Sequence, residues 1–252
     1  MPMPGFKTDK QPTLSKRVVP PRKFDTTALH EKAHGEYVHR DYAAHFFRWG
    51  FAGRFVNASV SVLDVGCGVD VPFMRVLTHP RSNVPKSYVG VDYNSRPRKL
   101  PSRQWATLIF DFDFTTRHAE LGTFDLVTNF EVIEHMAKPD GERLLSGMAS
   151  CLNDDGRLLL STPVFNGKAA ANHVHEWTVD ELASAVDEAG LSVEDRFGTF
   201  ASYNAIVKVC SPHERALIER LKSFYSGEVL SCFLAPKYPD ASRNNVWVLK
   251  KK

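Results

Sequence analysis

The chain has 252 residues, of which 43% are hydrophobic and 24% charged, as expected for a globular α/β domain with a full core. No stretch approaches about 18 consecutive apolar residues, and residues 1–11 lack the apolar core of a secretory signal, so we expect no membrane span or export. The four cysteines form no C-x-x-C pair, which predicts reduced thiols in the cytoplasm. The net charge of +3 is too small to indicate a nucleic-acid-binding domain by itself.

Residues 1–25 form the first segment, and five prolines with little apolar periodicity predict a flexible arm. Six basic side chains against Asp9 alone give residues 1–23 a charge of +5, which leaves −2 for the remainder. This basic arm could touch phosphates, but a solvated arm is the favoured interpretation. Residues 26–252 are predicted to form a single domain.

An aromatic-rich stretch at residues 34–56 has apolar side chains at helical spacing and predicts one or two helices. Beyond it, short apolar runs alternate with amphipathic stretches. Strands are predicted at 60–65, 88–91, 105–110, 124–130, 157–161, 191–197 and 246–249, and helices at 71–77, 141–152, 178–189 and 211–224. Thr178 and Glu181 form a capping-box pattern, and residues 211–245 resemble an insertion before the last strand. This alternation predicts a mostly parallel, doubly wound sheet.

The sharpest local pattern is the turn at residues 62–68, where an apolar strand runs into Gly66-Cys67-Gly68. The two glycines permit a tight turn and the close approach of a ligand, and ligands bind at the carboxyl ends of such strands. The next strand ends at Asp92, which could accept hydrogen bonds from both hydroxyls of a ribose. The combination with Asp64 favours a nucleoside cofactor over an empty turn.

The residue after this turn discriminates between cofactors. A dinucleotide site would have a third glycine and a helix N-terminus aimed at a pyrophosphate, whereas this chain has Asp70 there. S-adenosylmethionine (SAM) has no phosphate, and its ammonium could be received by Asp64 or a nearby carbonyl. The charge pattern therefore favours SAM over NAD.

Residues 63–68 resemble the first motif of the class I SAM-dependent methyltransferases, with Asp70 replacing the third glycine. The resemblance continues in order over about residues 60–195, in the segments 124–127, 130–135, 160–163 and 173–178. It implies a Rossmann-like, doubly wound, seven-stranded α/β sheet with an antiparallel last strand. It also implies a cofactor site made of Asp64, Gly66, Cys67, Gly68, Asp92, Phe130 and Asp113, the last preferred to Asp111 as the acid near adenine.

Acids and histidines cluster after the fourth strand, where Glu131, Glu134 and His135 share one loop and His173 can approach from the next. The pattern resembles the Glu-x-x-Glu-His branch of the family, which includes small-RNA 2′-O-methyltransferases and some ubiquinone O-methyltransferases. One interpretation is therefore a divalent ion, Mg²⁺ or Mn²⁺, held by these four residues. A second is metal-free catalysis, with His135 or His173 as the base and Glu131 in the catalytic group. A third is that the residues only position the acceptor.

The acceptor is less well defined. The near-neutral body favours an oxygen or nitrogen of a small molecule. Basic and aromatic residues in the insertion keep RNA or another nucleic acid open as an acceptor, namely Arg215, Arg220, Lys222, Lys237 and Arg243 near Phe224, Tyr225 and Tyr238. Arg48 could reach the SAM carboxylate, but we expect a surface ion pair. A catalytically inactive SAM-fold subunit is the remaining alternative, and the oligomeric state is left open.

Overall fold

The computed structural model describes residues 40–79, 82–95, 100 and 102–252. The basic arm and the first part of the 34–56 segment lie outside the described residues. Among the described ones, none of the helices is long and apolar enough to cross a lipid bilayer.

The core of the fold is a seven-stranded sheet whose members follow one another in space as β3-β2-β1-β4-β5-β7-β6. The strands are β1 Ser61–Val65, β2 Ser87–Val91, β3 Ala106–Ile109, β4 Phe124–Phe130, β5 Leu152–Pro163, β6 Leu191–Phe200 and β7 Asn244–Lys251. Pairing is parallel from β3 through β5, and β7 runs antiparallel to both of its neighbours. The predicted Rossmann-like topology and the antiparallel last strand are confirmed.

Helices cover both faces of this sheet. They are α1 Arg40–Gly53, α2 Pro72–Leu77, α3 Phe114–Arg117, α4 Lys138–Ser150, α5 Val179–Glu188, α6 Tyr203–Val209, α7 Pro212–Leu221 and α8 Gly227–Leu234. One buried apolar cluster joins α4 and α5 to the sheet, and a second joins α1 and α2 to its other face. The apolar strands are buried on both faces, as the alternating pattern predicted.

Helix α5 shows how well local signals define an element. Thr178 accepts a hydrogen bond from the backbone N–H of Glu181, whose carboxylate accepts one from the backbone N–H of Thr178. Gly190 follows the helix with a left-handed φ of 76°. The predicted capping box and glycine stop are both present.

Several boundaries differ from the sequence-based expectations. Helix α2 begins at Pro72, because Val71 is left-handed and precedes the first turn. Strand β5 begins at Leu152, five residues before the predicted start at Arg157, because Leu152 already pairs with Phe124 of β4. The polar run 153–156 is an irregularity in this pairing, which resumes at Arg157.

The insertion covers residues 201–243, not 211–245. It starts earlier because α6 is already helical, and it ends earlier because Asn244 and Asn245 pair within β7. We call residues 201–243 the cap segment. Its helices share a small apolar cluster of their own around Ile206, Ile218 and Leu230.

Candidate active site at the carboxyl edge of the sheet

The glycine turn after β1 has a shape that only glycine fits well. Gly66 and Gly68 have φ angles of 75° and 71°, in the left-handed region. A Cβ at Gly66 would lie 2.4 Å from Cγ2 of Val132. The backbone N–H groups of Gly66 and Cys67 both donate to the Val91 carbonyl, at 2.9 and 3.0 Å. The turn is thereby pressed against the ends of β2 and β4, with its backbone facing the edge where a cofactor would lie.

Asp92 links this turn to the loop after β2. Its carboxylate accepts from the backbone N–H of Gly68 at 2.7 Å and from that of Asn94 at 2.8 Å. The side chain is buried, with 6% of its surface exposed. Oδ1 also accepts from the Asn94 side chain at 2.8 Å, so Oδ2 is the oxygen with a second lone pair for a ribose hydroxyl.

Asp64 lies beneath the turn, in the sheet. Its two oxygens accept from the Tyr88 hydroxyl at 2.5 Å and the Thr128 hydroxyl at 2.7 Å, so it joins β1, β2 and β4. Burial raises the pKa of Asp64 from 3.8 to about 6, although the bonds from Tyr88 and Thr128 oppose the shift. Both oxygens of Asp64 therefore have protein partners. The predicted contact of Asp64 with the SAM ammonium stays a prediction.

The other predicted cofactor residues surround this turn. Cys67 is buried, and burial raises its thiol pKa well above the ordinary value, so it has no nucleophilic character. Phe130 ends β4 and contacts the Phe73 ring at 6.1 Å between centroids. Asp113 caps α3 by accepting from the Thr115 backbone at 3.0 Å, whereas Asp111 accepts from Ser95 at 2.7 Å. The choice of the adenine-binding acid therefore stays a prediction.

Glu131 follows β4 with a left-handed φ of 57° and is surrounded by donors. One carboxylate oxygen lies 2.5 Å from the Arg48 guanidinium and accepts from the Ser161 hydroxyl at 2.9 Å. The other accepts from the Asn244 side chain. Arg48 is only 3% exposed, so the expectation of a surface ion pair was wrong: α1 packs on the sheet and carries this guanidinium inward.

Glu134, His135 and His173 come together as a group that could hold a metal ion. One ligand atom from each lies within 4.8 Å of the others. The Glu134 carboxylate is buried and accepts from Thr162 at 3.1 Å. Burial, followed by the charge of Glu131, raises the pKa of Glu134 well above its ordinary value. Glu131 lies outside this group, since its carboxylate is held by Arg48 and Asn244.

The hydrogen bonds of the two histidines define which nitrogen is free. Nδ1 of His135 lies 3.1 Å from the Asn172 carbonyl, and Nδ1 of His173 lies 2.6 Å from a carboxylate oxygen of Glu176. Both partners are acceptors, so each Nδ1 carries the proton and each Nε2 keeps a lone pair. A neutral imidazole with a free Nε2 suits both metal binding and proton transfer.

Glu176 and Arg243 are the residues that sequence reasoning missed. The Glu176 side chain is fully enclosed and also accepts from the Ala170 backbone at 2.8 Å and from Arg243. Burial alone would raise the pKa of Glu176, but its bonds to Arg243, Ala170 and His173 lower it to about 2. The three-residue step from His173 to Glu176 was the only local signal that could have found it.

Four of the five basic residues named for the cap segment have protein partners. Arg215 donates to the Val207 carbonyl, Lys222 pairs with Glu219, and Lys237 pairs with Glu214. Arg243 turns inward to Glu176. This arrangement weakens the expectation of a single-strand-binding surface there.

Comparisons with known proteins identify the family. A family model described as a methyltransferase domain matches residues 34–195. A ubiquinone biosynthesis O-methyltransferase of Parvibaculum lavamentivorans is 29% identical over 212 residues, covering 74% of this chain and 77% of that protein. A protein of the same name from Cereibacter sphaeroides is 28% identical over 191 residues, covering 65% and 72%.

Solved structures share the fold. A SAM-dependent methyltransferase from Archaeoglobus fulgidus aligns with a TM-score of 0.54 at 16% identity, covering 84% of this chain and 94% of that one. The N1-methyltransferase of 1,6-didemethyltoxoflavin from Burkholderia thailandensis, with S-adenosylhomocysteine bound, aligns with a TM-score of 0.50 at 16% identity, covering 84% and 82%. With the glycine turn, Asp92 and the matched domain, these findings show that the chain belongs to the class I SAM-dependent methyltransferases.

Proposed function

We propose that the chain is an O-methyltransferase whose acceptor is a hydroxyl group on a small molecule. The observation that carries this proposal is the pair of histidines, each with Nδ1 bonded to an acceptor and Nε2 without a protein partner among the described residues, beside the buried Glu134 carboxylate. A hydroxyl must lose its proton as it is methylated, and such a site can assist that loss. The ubiquinone O-methyltransferases among its relatives also support oxygen as the atom that accepts the methyl group.

The cofactor side of the site binds SAM and orients it. The narrow glycine turn fits a ligand that approaches the backbone, and Asp92 at the end of β2 fits a ribose. SAM supplies an electrophilic methyl group, which the acceptor oxygen takes as the carbon–sulfur bond breaks and its electron pair stays on sulfur. The chain contributes the alignment of the two reactants, which by itself is a large catalytic effect.

The acceptor side removes the proton. Nε2 of His135 or of His173 is the nitrogen with a lone pair in reach, because Nδ1 of each ring is already a donor. Glu131 is held by Arg48 and Asn244 and contributes a fixed negative charge near that position. The proton would thus pass from the acceptor hydroxyl to an imidazole.

A divalent ion fits the same three side chains. Glu134, His135 and His173 supply one carboxylate oxygen and two imidazole nitrogens, a set that suits Mn²⁺ better than Mg²⁺, which prefers oxygen ligands. A bound ion would lower the pKa of the acceptor hydroxyl. Within this proposal, Glu131 orients the group without being one of the ligands.

The test is methyl transfer measured as release of S-adenosylhomocysteine. EDTA-treated protein is given SAM with a catechol, an aniline of similar size or a short RNA, with and without Mn²⁺. We expect turnover with the catechol only, and Glu134→Gln to lose at least about 100-fold while keeping SAM affinity. Glu188→Gln, at an exposed position on α5, is the matched control.

Each result has a defined meaning. Turnover on RNA alone would replace the small-molecule acceptor with a nucleic acid, and turnover on the aniline alone would replace oxygen with nitrogen. Turnover that is indifferent to Mn²⁺ and EDTA would favour the metal-free base. Failure to bind SAM would favour the inactive-subunit alternative. The cytoplasmic location is part of the same proposal, and the four buried cysteines, none of which is in a disulfide, are compatible with it.

A further inference from the structure

His173 is held by a buried carboxylate that no other part of the proposed chemistry uses. One oxygen of Glu176 accepts from Nδ1 of His173 at 2.6 Å, from the backbone N–H of Ala170 at 2.8 Å and from Arg243. The Glu176 side chain has no exposed surface. A carboxylate placed this deeply needs a compensating cation and donors, and all three contacts converge on the same oxygen.

Arg243 is fixed in place by more than its ion pair. Its backbone N–H donates to the Phe200 carbonyl at 2.6 Å, and its carbonyl accepts from the Val164 backbone at 2.7 Å. Its guanidinium also donates to the Val164 carbonyl at 2.5 Å. The last residue of the cap segment is therefore tied to the ends of β5 and β6, and it presents a fixed cation to Glu176.

The bond from Nδ1 to Glu176 determines the chemical form of His173. A neutral imidazole has one N–H, and the partner of one nitrogen decides which tautomer is present. Because Glu176 only accepts, Nδ1 holds the proton and Nε2 has the lone pair. Without this contact the ring could rotate or carry its proton on Nε2. Nε2 would then have no lone pair to offer to the hydroxyl of the substrate or to an ion.

We propose that Glu176 and Arg243 are positioning residues that hold His173 in the Nδ1–H form, with Nε2 available to the group of Glu134 and His135. The proposal deepens the proposed function and rests on it for the role of His173. It also makes Arg243, the last residue of the cap segment before β7, a part of the active site. A purely structural role would instead stabilise the loop 170–176 without affecting the tautomer.

The experiment follows the ring nitrogens directly. The full chain, free of metal and SAM, is labelled with ¹⁵N at histidine, and long-range ¹H–¹⁵N correlations report which nitrogen of His173 is protonated. The His173 signals are assigned from their absence in His173→Gln. Glu176→Met, Arg243→Gln and Arg243→Lys are compared with Arg157→Gln, which breaks a partly exposed ion pair with Glu194 far along β5. Calorimetry then measures the affinity of each chain for Mn²⁺ alone and, separately, for SAM.

In the wild-type chain and in Arg157→Gln we expect the Nδ1–H form. Glu176→Met removes the acceptor, so it should lose that preference and, where the wild type binds Mn²⁺, lower the affinity 10–100-fold, the range found for such outer partners of metal ligands. SAM affinity should change less than about twofold, which shows that the fold is intact. Arg243→Lys keeps a cation and should retain the Nδ1–H form better than Arg243→Gln.

The proposal is overturned if Glu176→Met and Arg243→Gln keep the Nδ1–H form of His173 while only the free energy of unfolding falls. If Glu176→Met does not fold, the two Arg243 variants decide. A wild type that binds no Mn²⁺ removes the metal from the proposed function, yet the tautomer comparison still tests Glu176 and Arg243. The metal of the proposed function and the positioning role of Glu176 and Arg243 can therefore be refuted independently.

Discussion

The two halves of the site are built in different ways. The cofactor half, around the Gly66–Gly68 turn, consists of backbone turns and a buried acid whose partners are strand neighbours. The acceptor half, around Glu131 and His173, consists of charged side chains that meet across long stretches of chain: Asn244 is 113 residues from Glu131. One half depends on local geometry, and the other depends on tertiary packing of ions.

The acceptor half should be the more fragile of the two. Arg48→Met removes a buried cation and leaves Glu131 without its ion-pair partner, so we expect a loss of about 3–5 kcal/mol in the free energy of unfolding. Urea denaturation measures this loss. Arg157→Met breaks a partly exposed pair with Glu194 and should cost less than about 1 kcal/mol. Equal losses in the two variants would show that burial of the ion pair between Arg48 and Glu131 does not increase its contribution to the free energy of unfolding.

The buried acid of the cofactor half should appear in the pH dependence of stability. The pKa of Asp64 is raised to about 6 in the folded chain, so the folded state binds more protons than the unfolded state between pH 4 and 6. Stability from this group is complete below pH 4 and is lost as the pH rises through 6, by about 3 kcal/mol. Asp64→Asn lacks this ionisation.

Unfolding in urea at a series of pH values checks the effect. The difference between the wild type and Asp64→Asn should shift in favour of the variant as the pH rises from 4 to 7. Parallel profiles would mean that Asp64 is ionised in the folded chain as easily as in the unfolded one.

The glycine turn should be sensitive to a single methyl group. Gly66→Ala combines a left-handed φ with a Cβ only 2.4 Å from Val132, so we expect a loss of about 2 kcal/mol and weaker SAM binding. Gly122 also has a left-handed φ, of 80°, but nothing within 4 Å, so Gly122→Ala should cost only about 1 kcal/mol. Partial recovery in Gly66→Ala with Val132→Ala would confirm the contact, and no recovery would assign the loss to φ strain alone.

The smallest expected effect comes from a purely local contact beside the acceptor half. Thr178→Ala removes the cap of α5 and should cost about 1 kcal/mol, whereas Thr178→Ser keeps the hydroxyl and should cost little. Thermal unfolding of the three chains is sufficient. A larger loss for Thr178→Ala would indicate that the cap also holds the loop that carries His173.

The same contrast explains what could be read from the sequence. The glycine turn, Asp92 and the α5 cap depend on residues a few positions apart, so their patterns are visible in the chain. The same holds for β4, which has the predicted bounds of Phe124–Phe130. The glycine turn and its neighbours were therefore located from the sequence, although the buried position of Asp64 was not, and their contacts with the cofactor stay a prediction.

The acceptor half was only partly predictable. Glu131, Glu134, His135 and His173 were grouped from the sequence, and the structure brings the last three together. The partners of Glu131 and His173 could not be found, because Arg48 arrives from α1 and Arg243 lies 67 residues from Glu176. Neither arginine stands in a pattern that distinguishes it from an ordinary surface cation. Only the packing of α1 and the return of the chain into β7 turn these two side chains inward.

The reversed direction of β7 has a consequence for how this protein could change over evolution. Because β7 is antiparallel, its first residue lies at the same edge as the ends of β5 and β6, and Asn244 pairs with both Pro163 and Phe200. The stretch between β6 and β7 thus leaves and returns at neighbouring points, and doubling its length would cost only about 0.6 kcal/mol in closure entropy. Exchange of that stretch between homologues, with Arg243 and Asn244 retained, would be a modular way to acquire new acceptors without rebuilding the half that binds the methyl donor.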